Sequence, residues 1–384
     1  MNKMHALSAA LLAAFSGTVL AGGFQSMEQN ASGLGTGYAG SAAVADNAST
    51  IFYNPAGMTR LPARQVSLGL VGALHNYEFN NEGSIGTGGD GGDAGEWRAL
   101  PNAYLSWALS PEWVVGLGIS SPFSLHTDYD DNWLGRFQSV EAEVRTLNVN
   151  PSVAYKLSEK VSLGLGLNYQ KIKVDTALNN GVGALVRTST DDSAWGWNAG
   201  VLFTLSPAMR IGVAYRSAIK YDLDEPVNLT GSPAAVASRN LDLPGTFTLS
   251  VWQQVSDRWE AMGDLSYTHW KVNDDFERDS WRFAWGAAYK YNETWKSRFG
   301  ISYDRSPLRD GERNAQLPDG HRIGFSIGGQ YKPSQNSALD FGYTYQWMKN
   351  TRIDQAQAAV PVTRLKGEYD AGGHLLGVQY TQSF

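Results

Sequence analysis

The sequence lacks cysteine altogether and is poor in charge. Its 384 residues contain no Cys, which excludes disulfides, thiolate metal sites and cysteine nucleophiles. Only 18% of the residues are charged, the net charge is −6 and no block of basic residues occurs, so we expect no nucleic-acid partner. Beyond the N-terminal region, no apolar run approaches the roughly 18 residues that a transmembrane helix requires. Glycine (42 residues) and aromatic residues (12%) are abundant instead, which is typical of β-rich chains.

The N-terminus predicts a secretory signal peptide. Lys3 precedes an apolar run that ends at Leu20, and Val19 and Ala21 supply small side chains for cleavage. We therefore expect residues 1–21 to be removed on export. An exported chain without a transmembrane helix can cross a membrane only as a β-barrel.

Apolar and polar residues alternate with period two over most of the remaining chain. One apolar face carries Leu339, Phe341, Tyr343, Tyr345 and Trp347. Soluble sandwiches alternate as well. Here, however, the apolar face ends in Trp and Tyr and the other face is rich in glycine and serine, which favours a transmembrane barrel. We therefore expect an all-β fold with these aromatics facing lipid. Further aromatics expected there are Trp195, Trp197, Trp281, Trp285 and Phe299.

Connections of two lengths alternate along the chain. Six short turns, such as Ser110–Glu112, alternate with seven long polar connections, which include Asn80–Glu96, Ala177–Ser193 and Leu223–Asp242. Short turns at one end and long loops at the other are typical of outer-membrane barrels. Thirteen connections predict fourteen antiparallel strands, with both chain ends on the periplasmic side. We expect the barrel-assembly machinery to recognise the aromatic last strand, which ends at Phe384.

Residues 22–62 lack this strand pattern. They are rich in Gly, Ala, Ser and Asn and low in charge. A barrel of fourteen strands has a lumen wider than its own side chains can fill. We therefore expect residues 22–62 to plug a barrel formed by residues 63–384, with a periplasmic tail as the alternative.

Short motifs, taken in chain order, resemble the FadL/TodX family of outer-membrane transporters. The motifs are Gly23–Gln25, Ala31–Gly35, Ala43–Ala48, Asn54–Met58, Gly118–Phe123, Leu147–Tyr155, Gly196–Gly200, Tyr215–Ser217, Leu243–Pro244, Pro318–Asp319 and Arg322. The resemblance covers essentially all of the chain after the signal peptide. It implies a fourteen-stranded barrel in the outer membrane of a Gram-negative bacterium, with an N-terminal hatch that contains short helices and plugs the lumen.

The resemblance also implies passive uptake of hydrophobic molecules. Long-chain fatty acids are the expected substrates, and aromatic or aliphatic hydrocarbons are the alternative. Substrate would land in a groove among the extracellular loops, pass to an apolar lumen pocket and leave sideways at an inward kink in the third strand. Asn54, Pro55 and Ala56 would form a gate in the hatch; alternatively, they form a turn that only seats it. We expect a monomer in contact with outer-membrane lipid and lipopolysaccharide.

The predicted kink lies at Pro122, because proline cannot donate a ladder hydrogen bond and is confined to edges and bulges. Its residues are Ser121, Pro122, Phe123 and Ser124. A strand that simply ends at the outer rim is the alternative.

A fatty-acid carboxylate calls for a basic side chain near the pocket. The candidates, from regions that supply such contacts in the family, are Lys171, Lys173, Lys271, Arg278 and Arg282. Each could instead pair with an acidic residue at the rim or in the lumen. If none of them binds a head group, an uncharged hydrocarbon becomes the better expectation.

Other chemistry finds little support in the sequence. No Gly-x-Ser-x-Gly elbow or Walker loop occurs, and the six His residues lack metal-ligand spacing. We therefore expect no enzymatic activity, cofactor or metal. A lipid hydrolase and a general porin are the alternatives from other functional classes.

Overall fold

The computed structural model describes residues 24–180, 184–227, 235–272, 276, 278–349, 351–357 and 363–384. The predicted signal peptide, residues 1–21, lies outside the described residues, as do the first two residues of the predicted plug.

Eighteen strands run through the described residues. The first nine are β1 (Arg64–Asn81), β2 (Trp97–Ala108), β3 (Trp113–Ser120), β4 (Ser124–Asp128), β5 (Glu141–Lys156), β6 (Val161–Asn179), β7 (Leu185–Ser206), β8 (Met209–Arg216) and β9 (Ile219–Val227). The others are β10 (Ala235–Leu243), β11 (Thr246–Gln254), β12 (Trp259–Thr268), β13 (Ser280–Lys290), β14 (Trp295–Asp304), β15 (His321–Ser334), β16 (Ser337–Lys349), β17 (Arg352–Gln357) and β18 (Thr363–Ser383).

Fourteen of these described strands close an antiparallel barrel, as the number of connections predicted. The ring closes where β1 pairs with β18, from Gln65 opposite Ser383 to Asn81 opposite Gly367. The other four strands are additions to it. Strand β4 continues the third barrel strand after a break, β9 and β10 pair with each other, and β17 pairs with the extension of β18.

The outer face of the barrel is apolar and aromatic. The nine aromatic residues named above, which were expected to face lipid, are 37–65% exposed. Aromatic rings pair on neighbouring strands near both ends of the barrel. Trp113 lies 4.6 Å from Tyr155 at the short-turn end, and Tyr169 lies 5.0 Å from Trp195 toward the other end. Such girdles are typical of barrels that cross a membrane.

The two ends of the barrel differ in the length of their connections, but two connections are shorter than predicted. Strands β6 and β7 pair out to Asn179 opposite Leu185, so most of the predicted loop Ala177–Ser193 is a hairpin. Much of Leu223–Asp242 is likewise paired in β9 and β10. Their polar composition suggested loops, but a strand that extends beyond the membrane can be polar on both faces while its ladder hydrogen bonds hold it.

The N-terminal segment, defined here as residues 24–62, lies against the inward face of the barrel. It contains one short α-helix, α1 (Thr50–Tyr53), and 3-10 helices at Leu34–Thr36 and Pro55–Arg60; a third 3-10 helix, Trp270–Val272, lies in a loop. None of the helices in the described ranges is long and apolar enough to cross a membrane.

Hydrogen bonds and close backbone contacts tie this segment to the barrel wall. The backbone N–H and hydroxyl of Ser41 donate to Asp264 at 3.1 and 2.7 Å, and the N–H of Ala42 donates to Ser250 at 3.0 Å. A Cβ at Gly212 would lie only 1.9 Å from the carbonyl oxygen of Ala42. Glycine on the inward face therefore lets the N-terminal segment approach the wall closely.

Candidate functional site

The third barrel strand contains a bulge at the predicted kink. Ser120 at the end of β3 pairs with Asn148, and Ser124 at the start of β4 pairs with Arg145. Four steps along the third strand therefore match three steps along β5, which leaves one extra residue in the stretch that includes Pro122. The strand resumes beyond this point, so it does not simply end at the rim.

The bulge leaves a gap in the barrel wall between β2 and β4. Residues Trp97–Asn102 of β2 pair with β1, but the ladder between β2 and β3 begins only at Ala103 opposite Ile119. On its other edge, within the described residues, this stretch of β2 has no strand partner. Six residues at about 3.3 Å each make the gap roughly 20 Å long.

The start of the N-terminal segment pairs with the bulge instead of β2. The N–H of Ser26 donates to the carbonyl of Pro122 at 2.8 Å, and the N–H of Ser124 donates to the carbonyl of Phe24 at 3.0 Å. The side chain of Gln29 adds two hydrogen bonds of 2.8 Å to the backbone of Ser121. The N-terminal segment therefore holds the bulged part of the third strand in place.

A chamber lies in the lumen beside this pairing. Three adjoining cavities of about 20, 60 and 30 Å³ are all lined by Gln25 and Arg322. Arg282 lines two of them, and Glu28 also lines two. Cavities of this size hold only one or a few water molecules, so the chamber is narrow while the N-terminal segment is docked.

An apolar cluster of buried side chains adjoins the chamber. It contains Phe24, Phe123, Leu125, Ala142, Val144, Ile172, Val174, Ile219, Tyr221, Leu223, Leu241, Leu243, Trp270, Phe276, Leu308 and Leu317. The ring of Phe24 makes an edge contact with Phe123 at 5.6 Å and lies 6.0 Å from Trp270. Since Phe24, Leu125 and Trp270 also line the cavities, the chamber has apolar as well as charged walls.

Arg282 is the predicted basic residue that reaches this chamber. Its Nε lies 3.1 Å from Asp304, its Nη2 donates to the carbonyl of Gly37, and the residue is 8% exposed. Its buried Nη1 has no hydrogen-bond partner among the described residues. An unmet donor in a buried guanidinium is costly, so this atom favours an added acceptor.

Other charged groups surround the chamber. Arg322 forms an ion pair of 2.6 Å with Asp319, whose second carboxylate oxygen accepts from Ser306 at 2.6 Å. Burial raises the pKa of Glu28, in the N-terminal segment, above its usual value, while the charges of Arg322 and Arg282 oppose that rise.

The Asn54-Pro55-Ala56 turn lies near the end of the N-terminal segment, whereas the residues that pair with the bulge lie at its start. The turn contacts the barrel wall. Asn54 is fully buried; its Nδ2 donates to the carbonyls of Ala42 at 2.8 Å and Val201 at 3.1 Å. Its Oδ1 accepts the N–H of Ala56 at 3.1 Å, which caps the following 3-10 helix.

The other four predicted basic residues do not line the chamber. Lys171 and Lys173 share the outward face of β6 with Leu167 and pair with Asp191 and Asp175. The expectation that these two lysines lie near the pocket is wrong. Side chains alternate between the two faces of a strand, and the odd-numbered residues in this stretch point outward.

The remaining two predicted residues lie in loops. Lys271 is exposed, and Arg278 donates to the carbonyls of Pro307 and Leu308. Neither lines any of the three cavities of the chamber.

Two chamber residues were missed by the sequence reasoning. Arg98 and Glu28 line the chamber, yet neither was a candidate. The alternation of β2 could have identified Arg98, because this charged residue occupies a lumen-facing position between the outward residues Trp97 and Ala99. Glu28 lies in a segment without periodicity, which gave its position no such signal.

A closed fourteen-stranded barrel with an apolar, aromatic outer face defines a transmembrane β-barrel of the outer-membrane class. Within that class, the chain belongs to the family described as "Outer membrane protein transport protein (OMPP1/FadL/TodX)", whose pattern matches residues 12–384. It is therefore a protein of the outer membrane, from a family of transporters and channels.

Individual relatives agree with this assignment. Outer membrane protein P1 of Haemophilus influenzae is 30% identical over 90% of this chain and 89% of the relative. The long-chain fatty acid transport protein of Escherichia coli O6:H1 is 25% identical over 94% of both chains.

Solved structures show the same fold. The crystal structure of a Pseudomonas aeruginosa FadL homologue has a TM-score of 0.87 at 22% identity, covering 94% of this chain and all of that one. The toluene transporter TodX of P. putida has a TM-score of 0.69 at 16% identity, covering 92% and 98%.

Proposed function

We propose that the protein is a passive uptake channel for long-chain fatty acids. The observation that carries this proposal is the buried guanidinium of Arg282, whose Nη1 lacks a partner among the described residues at the edge of a partly apolar chamber. A carboxylate there would accept a charge-assisted hydrogen bond. The acyl chain would be bound by apolar contacts, at roughly 0.8 kcal/mol per buried CH₂.

The proposed route follows the apolar surfaces. Substrate lands among the extracellular loops, passes the apolar cluster, rests in the chamber and leaves sideways through the gap between β2 and β4. This route spares an acyl chain a long aqueous transfer, which the hydrophobic effect disfavours. The gap is supported as the exit by its position, because the same cavity is lined by Leu100 of β2 and Leu125 of β4.

Residues 22–62 act in this proposal as a hatch that plugs the lumen. The stretch Phe24–Ser26 blocks the route to the gap while it pairs with the bulge, and its release opens the exit. Asn54, Pro55 and Ala56 anchor the part of the hatch that stays in place, and the start of the hatch moves relative to this anchor. We also propose that residues 1–21 are a signal peptide, that the barrel-assembly machinery recognises the last strand, and that the protein is a monomer.

Substitution of Arg282 tests the proposed substrate. R282M should reduce uptake of labelled oleate by about tenfold or more, the effect of one lost charged hydrogen bond, in a host that lacks its own fatty-acid transporter. Oleyl alcohol, which has the same chain without the carboxylate, should be affected much less. Equal uptake of oleate by the wild type and by cells without the gene would refute the proposal.

A cysteine pair tests the movement of the hatch. Gln25 lies opposite Phe123 in an antiparallel bridge, a geometry that a disulfide can span. The chain has no other cysteine to interfere. The oxidised Q25C/F123C variant should lose oleate uptake and recover it on reduction, whereas each single variant should respond to neither treatment. Full uptake by the oxidised double variant would show that this pairing does not open.

Uptake of aromatic hydrocarbons is the second candidate function. It is favoured by the aromatic rings beside the chamber, of Phe24, Phe123, Trp270 and Phe276. TodX, which has the same fold, is titled a toluene transporter. Uptake of toluene but not oleate, unchanged in R282M, would favour this function over the first.

A further inference from the structure

Side chains, not backbone, cross the gap between β2 and the third strand. Backbone contact resumes beyond the gap, where the N–H of Asp128 donates to the carbonyl of Ala94 at 3.0 Å. Between that point and Ala103, Arg98 Nη1 donates to the Ser124 hydroxyl at 3.1 Å. Nearer the loop end, His126 lies 3.3 Å from Glu96.

These contacts occupy the positions of a continued ladder. Ala103 opposite Ile119, Arg98 opposite Ser124 and Ala94 opposite Asp128 all follow one antiparallel register. The two strands have therefore separated without slipping. The Arg98 side chain spans the distance that backbone hydrogen bonds would otherwise close.

Arg98 differs from the other chamber arginines in its partners. Its Nη2 contacts His75 Nδ1 at 2.9 Å, and since a guanidinium only donates, both the imidazole nitrogen and the Ser124 hydroxyl accept. No carboxylate lies within ion-pair distance of Arg98 anywhere in the described part of the chain, although Glu28 lines the same cavity. Arg282 and Arg322, in contrast, each have an aspartate.

A half-buried cation with only neutral partners favours an anion that can reach it. Arg98 lines a narrow cavity of about 20 Å³ together with Phe24, Leu100 and Leu125, so an anion would reach it when Phe24 is released. A carboxylate that leaves Arg282 with its acyl chain directed toward the gap would meet Arg98 next.

We propose that Arg98, with Ser124 and His75, forms a latch across the lateral gap that the substrate's own carboxylate opens. The inference rests on the proposed function and adds a specificity-determining residue to it. The carboxylate replaces the Ser124 hydroxyl as the acceptor of Nη1, because a charged acceptor forms the stronger hydrogen bond. The side-chain bridge between β2 and β4 is then broken, and the acyl chain can pass. An uncharged chain of the same length does not release the latch.

Two variants test the latch from opposite sides, with labelled oleate and oleyl alcohol as probes. R98M should lower oleate uptake relative to oleyl alcohol uptake by about tenfold, the lower end for loss of a hydrogen bond to a charged group. S124A removes the acceptor but keeps the charge, so oleyl alcohol uptake should rise several-fold while oleate uptake is retained. R210M is the matched control. Arg210 is a buried lumen arginine that stacks on Trp252 at 3.7 Å and lies outside the chamber. The ratio of oleate to oleyl alcohol uptake in R210M should equal that of the wild type.

The outcomes separate the latch from the proposed function. Normal wild-type oleate uptake with an unchanged ratio in both R98M and S124A would overturn the latch alone. Wild-type oleate uptake no higher than that of cells without the gene would overturn the proposed function and the latch with it. Surface amounts of each variant, measured on whole cells, normalise the rates, so a variant that assembles poorly does not imitate either result.

Discussion

Asn54 offers a direct measure of how firmly the N-terminal segment is held. Asn54→Ala removes one hydrogen bond to the barrel wall, donated to Val201, and two bonds within the segment, donated to Ala42 and accepted from Ala56, all at a site with no exposure. Undocking breaks only the bond to Val201, so at about 1 kcal/mol net for this bond, docking of the segment should weaken by about 1 kcal/mol. That loss corresponds to a roughly fivefold larger population of the undocked state.

A single cysteine placed in the segment reports this population. Ala48 is fully buried, and A48C adds the only thiol in the chain. When the segment redocks faster than a thiol reagent reacts, the labelling rate follows the undocked population. Labelling of purified N54A/A48C should therefore be about fivefold faster than labelling of A48C.

The matched control is Asn148→Ala, also fully buried, whose side chain bonds only to Ser120 and Asn168 of the barrel wall. N148A/A48C should label at the rate of A48C. An increase below about twofold in N54A/A48C would refute the reasoning, because it would assign the hydrogen bond to Val201 less than the lower end of the usual net value.

Three further predictions follow from the contacts of the segment and of the outer wall. Gly212→Val should expel the segment and accelerate labelling of the same cysteine reporter by at least about tenfold, since even a Cβ there meets a backbone oxygen at 1.9 Å. Burial raises the pKa of Glu28, so the docked state holds a proton that the undocked state releases. Docking should therefore weaken as pH rises from the usual carboxyl range through the raised pKa. E28Q should abolish this pH dependence of the labelling rate. Lys171→Gln and Lys173→Gln should leave oleate uptake unchanged, because both side chains share the outward face of β6.

The sequence pattern predicted the barrel well because strand period and connection length are local properties. A lipid-facing surface requires apolar residues at every second position, and the alternation of Leu339 to Trp347 shows this directly. The ends of strands were harder to place. Polar residues of β6, β7, β9 and β10 resembled loops, yet they pair in strand ladders.

The candidate site was predicted only in part. Pro122 marked the break in the third strand because proline lacks a ladder donor, which is a property of the residue itself. Of the five basic candidates, Arg282 alone reaches the chamber. Lys171 is separated from the lumen by a single step of strand register, and that step decides whether a side chain faces lipid or lumen.

The sequence by itself therefore determined the class of fold, the number of strands and the place of the bulge, because each depends on residues that are neighbours along the chain. The tertiary structure decided which groups meet. Phe24 and Pro122 are distant in sequence, yet Phe24–Ser26 pairs with the bulge, and Arg98 reaches Ser124 across the gap beside β2. Contacts of this kind depend on ring closure and on a segment packed against the inward face of the barrel, which no local pattern encodes.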